Sequence, residues 1–318
     1  MSVLNILKQV CRGYLDTHNT NLYQTLSIYN YGFWFNGSRG VVIVDDEKPV
    51  IALVDTSGGY SIYSGKEIGC RDVVDRLEWM LGLGEDLSGF HSIASSDPLL
   101  NIFSREYSGW RVRSTSLWWS LVIGVCQQNT SFWQGWRMLY NIIKFYGRQV
   151  ASRDNVFLLP PTPRDILASP ELLVNTGVGY RASTIVRIAR AFTNREISFE
   201  KLCDLEATEI EDELKKIKGV GPYTARLAII LSFRRYNLAP IDRWLKKIIA
   251  IAYGVDEKRA GDYWVRKWRE WSGLAALATT IALDAKPLRK AVERVKTGKT
   301  HPIENGSPTP SSLWRILK

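Results

Sequence analysis

Two glycines in one short turn constrain this chain more than any other feature. The turn is Ile217-Lys218-Gly219-Val220-Gly221, set between two helical segments. Before it, Thr208 and Glu211 have the spacing of a capping box and open a helix through ELKKI. After it, Pro222 suits the first turn of a second helix, PYTARLAIILSF. Paired glycines let the backbone pass close to another surface, where the second helix offers free N–H groups and its positive dipole end. A nucleic-acid phosphate fits that position, with the backbone of Gly219, Val220 and Gly221 as the clamp. Lys215, Lys216 and Lys218 add charge around it. Taken alone, the same turn reads equally as an ordinary corner with a glycine C-cap. Downstream, Ala239-Pro240-Ile241-Asp242 leads into a third helix, WLKKIIAIAYG. Asp242 is a favoured N-cap residue there, and a carboxylate at a helix start can also face a cleft.

Charge agrees with a polyanionic partner. Lys and Arg total 42 against 32 Asp and Glu, a net +10 with a pI near 9.4, and such a field favours nucleic acid. Trp is abundant, and its ring serves both core packing and base stacking. Runs such as LVIGVC and LAIILSF are too short to span a bilayer. The start, MSVLNILKQVCRGYL, lacks a basic stretch followed by a long apolar one, so no secretory signal is expected. The expected setting is the cytoplasm or nucleoid, with no membrane partner and a monomeric state. Cys11, Cys70, Cys126 and Cys203 have no metal or redox spacing and read as structural thiols of a reducing compartment.

The patterning predicts an α+β chain. Residues 24–65 hold short runs rich in Val, Ile, Tyr and Phe, broken by NGSRG, DDEKP and TSGG. They predict an antiparallel sheet flanked by helices near 3–16 and 66–82. From residue 97 the pattern turns helical. Helices are expected near 115–129, 131–147, 163–168, 170–175, 180–193, 207–217, 222–235, 242–253, 258–271 and 273–296. The resulting division is an N-terminal α+β domain at 1–95, a mostly helical two-lobed core at 96–296 and a flexible tail at 297–318, rich in Pro, Gly, Ser and Thr.

The segment LKKIKGVGPYTARLAIILSFRRYNLAPIDRWLKKI resembles the helix-hairpin-helix, Gly/Pro-rich loop and aspartate signature of base-excision DNA glycosylases. Upstream, Gly177-Val178-Gly179-Tyr180-Arg181-Ala182 is similar to a stretch of 8-oxoguanine glycosylases. Val125-Cys126-Gln127-Gln128-Asn129-Thr130 is similar to the segment that fills the gap left by an extruded base. Three motifs occur in the family's order over roughly 97–295. The sheet-forming N-terminus suits the branch of 3-methyladenine and 8-oxoguanine DNA glycosylases.

The resemblance implies that Asp242 is the catalytic carboxylate, stabilising positive charge on the sugar as a flipped-out base leaves duplex DNA. Asn129 would contact the orphaned partner base, Tyr180 would wedge beside the lesion, and Arg181 would join the DNA-binding set. Bifunctional relatives carry a lysine two positions after the second hairpin glycine; here that position is Tyr223. A phenol forms no Schiff base, so a monofunctional enzyme without AP-lyase activity is expected. Nothing after Cys203 is cysteine, so no iron–sulfur cluster is expected. A structural K+ or Na+ on the carbonyls of Lys215, Ile217 and Val220 is a family expectation.

For the lesion, Ala276 and Thr280 stand where 8-oxoguanine glycosylases carry Gln and Phe. Trp268-Arg269-Glu270-Trp271 is closer to a stretch of 3-methyladenine glycosylases. Tyr223, Trp244, Trp271 and Trp118 are the candidate pocket residues, and stacking of a cationic base on such rings favours alkylated purine. Oxidised purine is the alternative substrate. A catalytically silent, damage-specific DNA-binding protein is the alternative class.

Overall fold

A computed structural model describes residues 6–303 and 306–318. Four strands, β1 (Lys8–Tyr14), β2 (Arg39–Asp45), β3 (Val50–Asp55) and β4 (Gly59–Ser64), form an antiparallel sheet in the order β1-β4-β3-β2. The helix expected over 3–16 is instead β1, because pairing with β4 overrides local preference; residues 3–5 of that expectation lie outside the described residues. Gln24–Ser27, expected in a strand, belong to a helix (Leu22–Ser27) capped by the Asn21 side chain, which accepts from Gln24 N–H at 3.0 Å. A helix over Cys70–Leu81 packs on the sheet, burying Leu77 and Leu81 with Cys11, Val54 and Ile62. The expectation of four free thiols is corrected here: Cys11 on β1 and Cys70 on this helix form a disulfide. Their separation of 59 residues hid the pair from any spacing rule. Cys126 and Cys203 are free.

The rest is mostly helical, in two clusters. One gathers Leu117–Gln127, Phe132–Tyr146, Ala182–Thr193 and Pro222–Phe233; the other gathers Arg243–Tyr253, Ala260–Trp268, Ser272–Ala282 and Leu288–Lys296. The architecture is therefore α+β: a sheet-bearing N-terminal part followed by a two-lobed helical core. Several details differ from the sequence expectation. The segment 170–175 is a 3-10 helix, Pro170–Thr176. The single helix expected over 273–296 is two, broken where Asp284 and Ala285 adopt left-handed φ of 55° and 48° ahead of Pro287. A small hairpin, β5 (Arg148–Ala151) with β6 (Val156–Leu159), appears where no strand was expected. Among the described residues no helix is long and apolar enough to cross a membrane.

The end of the chain is not the flexible tail expected. Leu313 is fully buried and Trp314 meets Phe35 edge-on at 4.9 Å. Tyr29 N–H donates to Pro310 O at 2.9 Å, and Gly32 N–H to Leu317 O at 2.7 Å. Apolar Leu313, Trp314 and Leu317 gain burial that the polar linker before them could not offer.

Candidate active site

The first hairpin helix, Ala207–Lys215, has its capping box two residues before the expected one: Glu209 accepts from Glu206 N–H at 2.8 Å. Glu211 turns inward instead and pairs with Arg226 of the second helix, Pro222–Phe233, at 3.0 Å. Arg226 also donates to Ala239 O at 3.3 Å, so one guanidinium ties both hairpin helices to the loop that carries Asp242. Between the helices Gly219 adopts φ +103°, and a Cβ there would lie 2.2 Å from Thr184 Oγ1. Only glycine fits. Gly221 is different: its φ of −100° suits any residue, and a Cβ would meet nothing closer than Gln128 Nε2 at 3.8 Å. Protein packing gives no reason for that second glycine.

Of the hairpin lysines, Lys215 pairs with Asp212 at 2.9 Å and Lys216 with Glu213 at 2.6 Å, each on its own helix. Both were expected beside a phosphate, and each also has an acidic neighbour one turn back on its own helix. Lys218 has no ion pair among the described residues and shares a surface groove with Arg187, Arg190 and Lys216. The carbonyl of Ile217 already accepts from Val220 N–H at 2.9 Å. Those of Lys215 and Val220 have no N–H partner among the described residues, the condition a cation there would need. Buried Val220 anchors the turn.

Asp242 caps the helix Arg243–Tyr253, its Oδ1 accepting from Leu245 N–H at 2.8 Å. The residue is solvent-accessible, yet protein on its inner side withholds water and raises the carboxyl above the usual range. The N–H groups of Leu245, Asp242 and Trp244 pull the other way. An ionisable group pushed by its surroundings, close enough to act on a cavity-wall residue, is a functional-site signature. Burial, and then the charge of Asp242, raise the Tyr223 phenol well above the ordinary range, which keeps it protonated.

Tyr223 faces a partly open cavity of about 170 Å³, room for a flat ring. It gets there because Gly124 lets the helices Leu117–Gln127 and Pro222–Phe233 touch: a Cβ on Gly124 would come within 3.1 Å of the Thr224 backbone. The opposite wall is aromatic. Tyr29 stacks on Trp136 at 5.6 Å, and both line the cavity with Trp34, Trp119 and Phe132. The wall draws on residues from both sides of the expected boundary near residue 95.

Three of the four expected pocket residues lie elsewhere. Trp118 is core, donating to Pro161 O at 2.7 Å; the next residue, Trp119, faces the cavity. Trp244 donates to Lys286 O at 2.9 Å and packs between helices. Trp271 rests against Tyr236 and Phe90. Thr280 lines the cavity, whereas Ala276 is buried in the second helical cluster.

Arg181, expected to meet DNA, is used inside the protein. It donates to Val125 O at 3.1 Å, Gln128 O at 2.6 Å and Asn129 O at 3.3 Å, capping the helix Leu117–Gln127. The GYRA and CQQN motifs are thereby joined. Asn129 is exposed with a left-handed φ of 50°. Tyr180, under the Arg181 guanidinium, is 74% exposed, unusual for so large a ring. Sequence reasoning missed Tyr29, Arg113 and Arg226. Tyr29 sits in an aromatic run, YNYGFWF, that reads as strand, and neither arginine lies in a motif.

No family model matches the chain. The DNA-3-methyladenine glycosylase of Bacillus subtilis (strain 168) is 25% identical over 242 residues, which span 74% of this chain and 78% of that protein. Among solved structures, the 3-methyladenine DNA-glycosylase from Archaeoglobus fulgidus superposes with a TM-score of 0.67 at 19% identity, over 85% of this chain and 97% of that one. The Clostridium acetobutylicum 8-oxoguanine glycosylase/lyase, in complex with dsDNA containing cytosine opposite to 8-oxoG, gives 0.65 at 20% identity and covers 93% of each chain. At these identities the structural likeness is one of fold.

Proposed function

We propose that this chain belongs to the helix-hairpin-helix superfamily of DNA glycosylases, a reading supported by its similarity to DNA-3-methyladenine glycosylase and by its fold, and that it is a monofunctional enzyme that hydrolyses the N-glycosidic bond of a damaged base in duplex DNA. One observation carries the reading: Asp242 is oriented by a helix N-terminus, reaches solvent, and acts on Tyr223 in the wall of an aromatic cavity. Breaking the bond between C1′ and the base nitrogen builds positive charge on the sugar. The Asp242 carboxylate opposes that charge and orients the water that adds to C1′.

Duplex DNA lies across the hairpin, with phosphate on the backbone N–H groups beside Gly221 and charge from Lys218, Arg187 and Arg190. Gly221 supports this contact, since nothing among the described residues requires a glycine there. Asn129 and Tyr180, exposed and close through Arg181, enter the space left by the flipped base. The enzyme acts as a monomer. Residues 1–95 supply one wall of the base pocket and 96–296 the other wall and the chemistry.

A flat, damaged purine suits the rings of Tyr29, Trp119 and Trp136. At the position of the lysine nucleophile, Tyr223 offers no amine, and hydrolysis leaves an abasic site without strand cleavage. Incubation with duplexes carrying one lesion each, scored for alkali-labile sites, tests the activity. Borohydride added to the same reactions should trap no covalent protein–DNA adduct. Trapped protein would refute the monofunctional mechanism.

A further inference from the structure

Resting on the glycosylase reading, we infer that Arg113 makes the base pocket a charge filter that favours neutral, carbonyl-bearing lesions over cationic alkylated ones. Arg113 is the one charged side chain among the described residues of the cavity wall, and no Asp or Glu lines it. Its guanidinium donates to Leu26 O at 3.0 Å and Tyr29 O at 3.2 Å. Both partners are neutral carbonyls, so among the described residues the positive charge is held without a counter-ion. Burial pushes its pKa down to about 10, which still leaves it protonated at neutral pH.

The rest of the wall favours a base that accepts hydrogen bonds. The phenol oxygens of Tyr29 and Tyr223 have no protein partner among the described residues, and burial keeps both protonated as donors. The Thr280 hydroxyl gives its one proton to Ala276 O at 3.0 Å, which leaves the two phenols as donors. An aromatic wall alone would attract a cationic base. A fixed guanidinium in the same poorly hydrated space repels one, and charge–charge repulsion at reduced dielectric outweighs a ring quadrupole.

The chemistry runs the same way. When the lesion is neutral, the bond between C1′ and the base nitrogen breaks with its electron pair going to the base. Water then supplies hydroxide to C1′ and its proton to the base, so atoms and charge balance. Negative charge develops on the base on the Arg113 side while positive charge develops on the sugar beside Asp242. A cationic base leaves as a neutral molecule and develops no such charge. Arg113 therefore helps one class in the transition state and hinders the other on entry. Left-handed Tyr29, with φ 53°, presents its carbonyl to Arg113 while its ring joins the wall. Its N–H is held by Pro310 O, so the docked C-terminus fixes this part of the filter.

The experiment is single-turnover base release at neutral pH from duplexes containing hypoxanthine, 8-oxoguanine or 7-methylguanine, each rate divided by its spontaneous rate. The enhancement on at least one neutral lesion should exceed that on cationic 7-methylguanine by about tenfold or more, a factor of ten being a modest difference in transition-state binding. Arg113→Met should lower the neutral rate about tenfold and leave or raise the 7-methylguanine rate. Arg113→Lys, which keeps the charge, should retain the wild-type order. Thermal melts establish that the variants fold, and the wild-type ratio tests the idea without any variant. Equal or greater enhancement on 7-methylguanine would overturn the filter and leave the glycosylase reading intact. Release of no base from any duplex would overturn both.

Discussion

At the residue scale, Asp242 combines two tasks with opposite demands. As an N-cap it satisfies Leu245 N–H, and as the proposed catalytic group it must stay ionised beside protein that withholds water. Because its pKa is raised, the folded state binds this proton more tightly than the unfolded chain does. Its contribution to stability is therefore fully present below the unfolded pKa and is lost as pH rises through the raised folded value. Activity, which needs the carboxylate, should fall on acidification at a higher pH than an ordinary aspartate would allow. A pH–rate profile of base release checks this; an acid limb at or below the ordinary aspartate range would contradict it. Arg226, holding Glu211 and Ala239 together, is the residue that aims the loop. Arg226→Met should slow base release while leaving the acid limb where it is. A shifted limb would mean that Arg226 acts on the charge of Asp242 directly.

At the scale of elements, the two hairpin glycines separate fold from function. Gly219→Ala forces a Cβ into Thr184 at a left-handed φ and should cost at least about 1–3 kcal/mol, read as a lower melting temperature. Gly221→Ala meets open space and should stay within about 0.5 kcal/mol of wild type in stability. Its effect should appear in DNA affinity, which a titration measures. Equal loss of stability in both variants would remove the argument that Gly221 serves an outside partner.

The hairpin, its flanking helices and the Asp242 helix were legible in sequence because capping residues, Gly, Pro and apolar spacing are local signals. β1 was not, because seven residues near Lys8–Tyr14 become a strand only by pairing with β4. The cavity wall was equally hidden. Tyr29, Arg113 and Trp119 converge through packing, and among many Trp residues sequence alone chose Trp118 over its neighbour. Arg181 was recognised by motif but its task was not, since capping a distant helix leaves no trace in spacing.

At the scale of the whole molecule, the fold surrounds its proposed pocket with parts far apart in sequence: the Tyr29 segment, the Leu117–Gln127 helix, the hairpin helix and the docked end of the chain. Leu313→Ala should therefore cost about 2–5 kcal/mol, the usual range for a buried leucine, and lower the melting temperature. The net charge of +10 should make DNA affinity fall steadily with added salt. An affinity indifferent to salt would count against phosphate contact by the hairpin.

The most direct test of the central claim pairs wild-type protein with Asp242→Asn on duplexes carrying single lesions, measuring base release and DNA affinity side by side. Asparagine preserves the N-cap but carries no charge, so the variant should bind DNA as wild type does and release base at least a hundredfold more slowly, in the range of a lost charge-stabilising group, about 10²–10³. Undiminished release by Asp242→Asn would remove Asp242 from the chemistry. Wild-type binding without release of any base would make the protein a DNA-binding module rather than an enzyme.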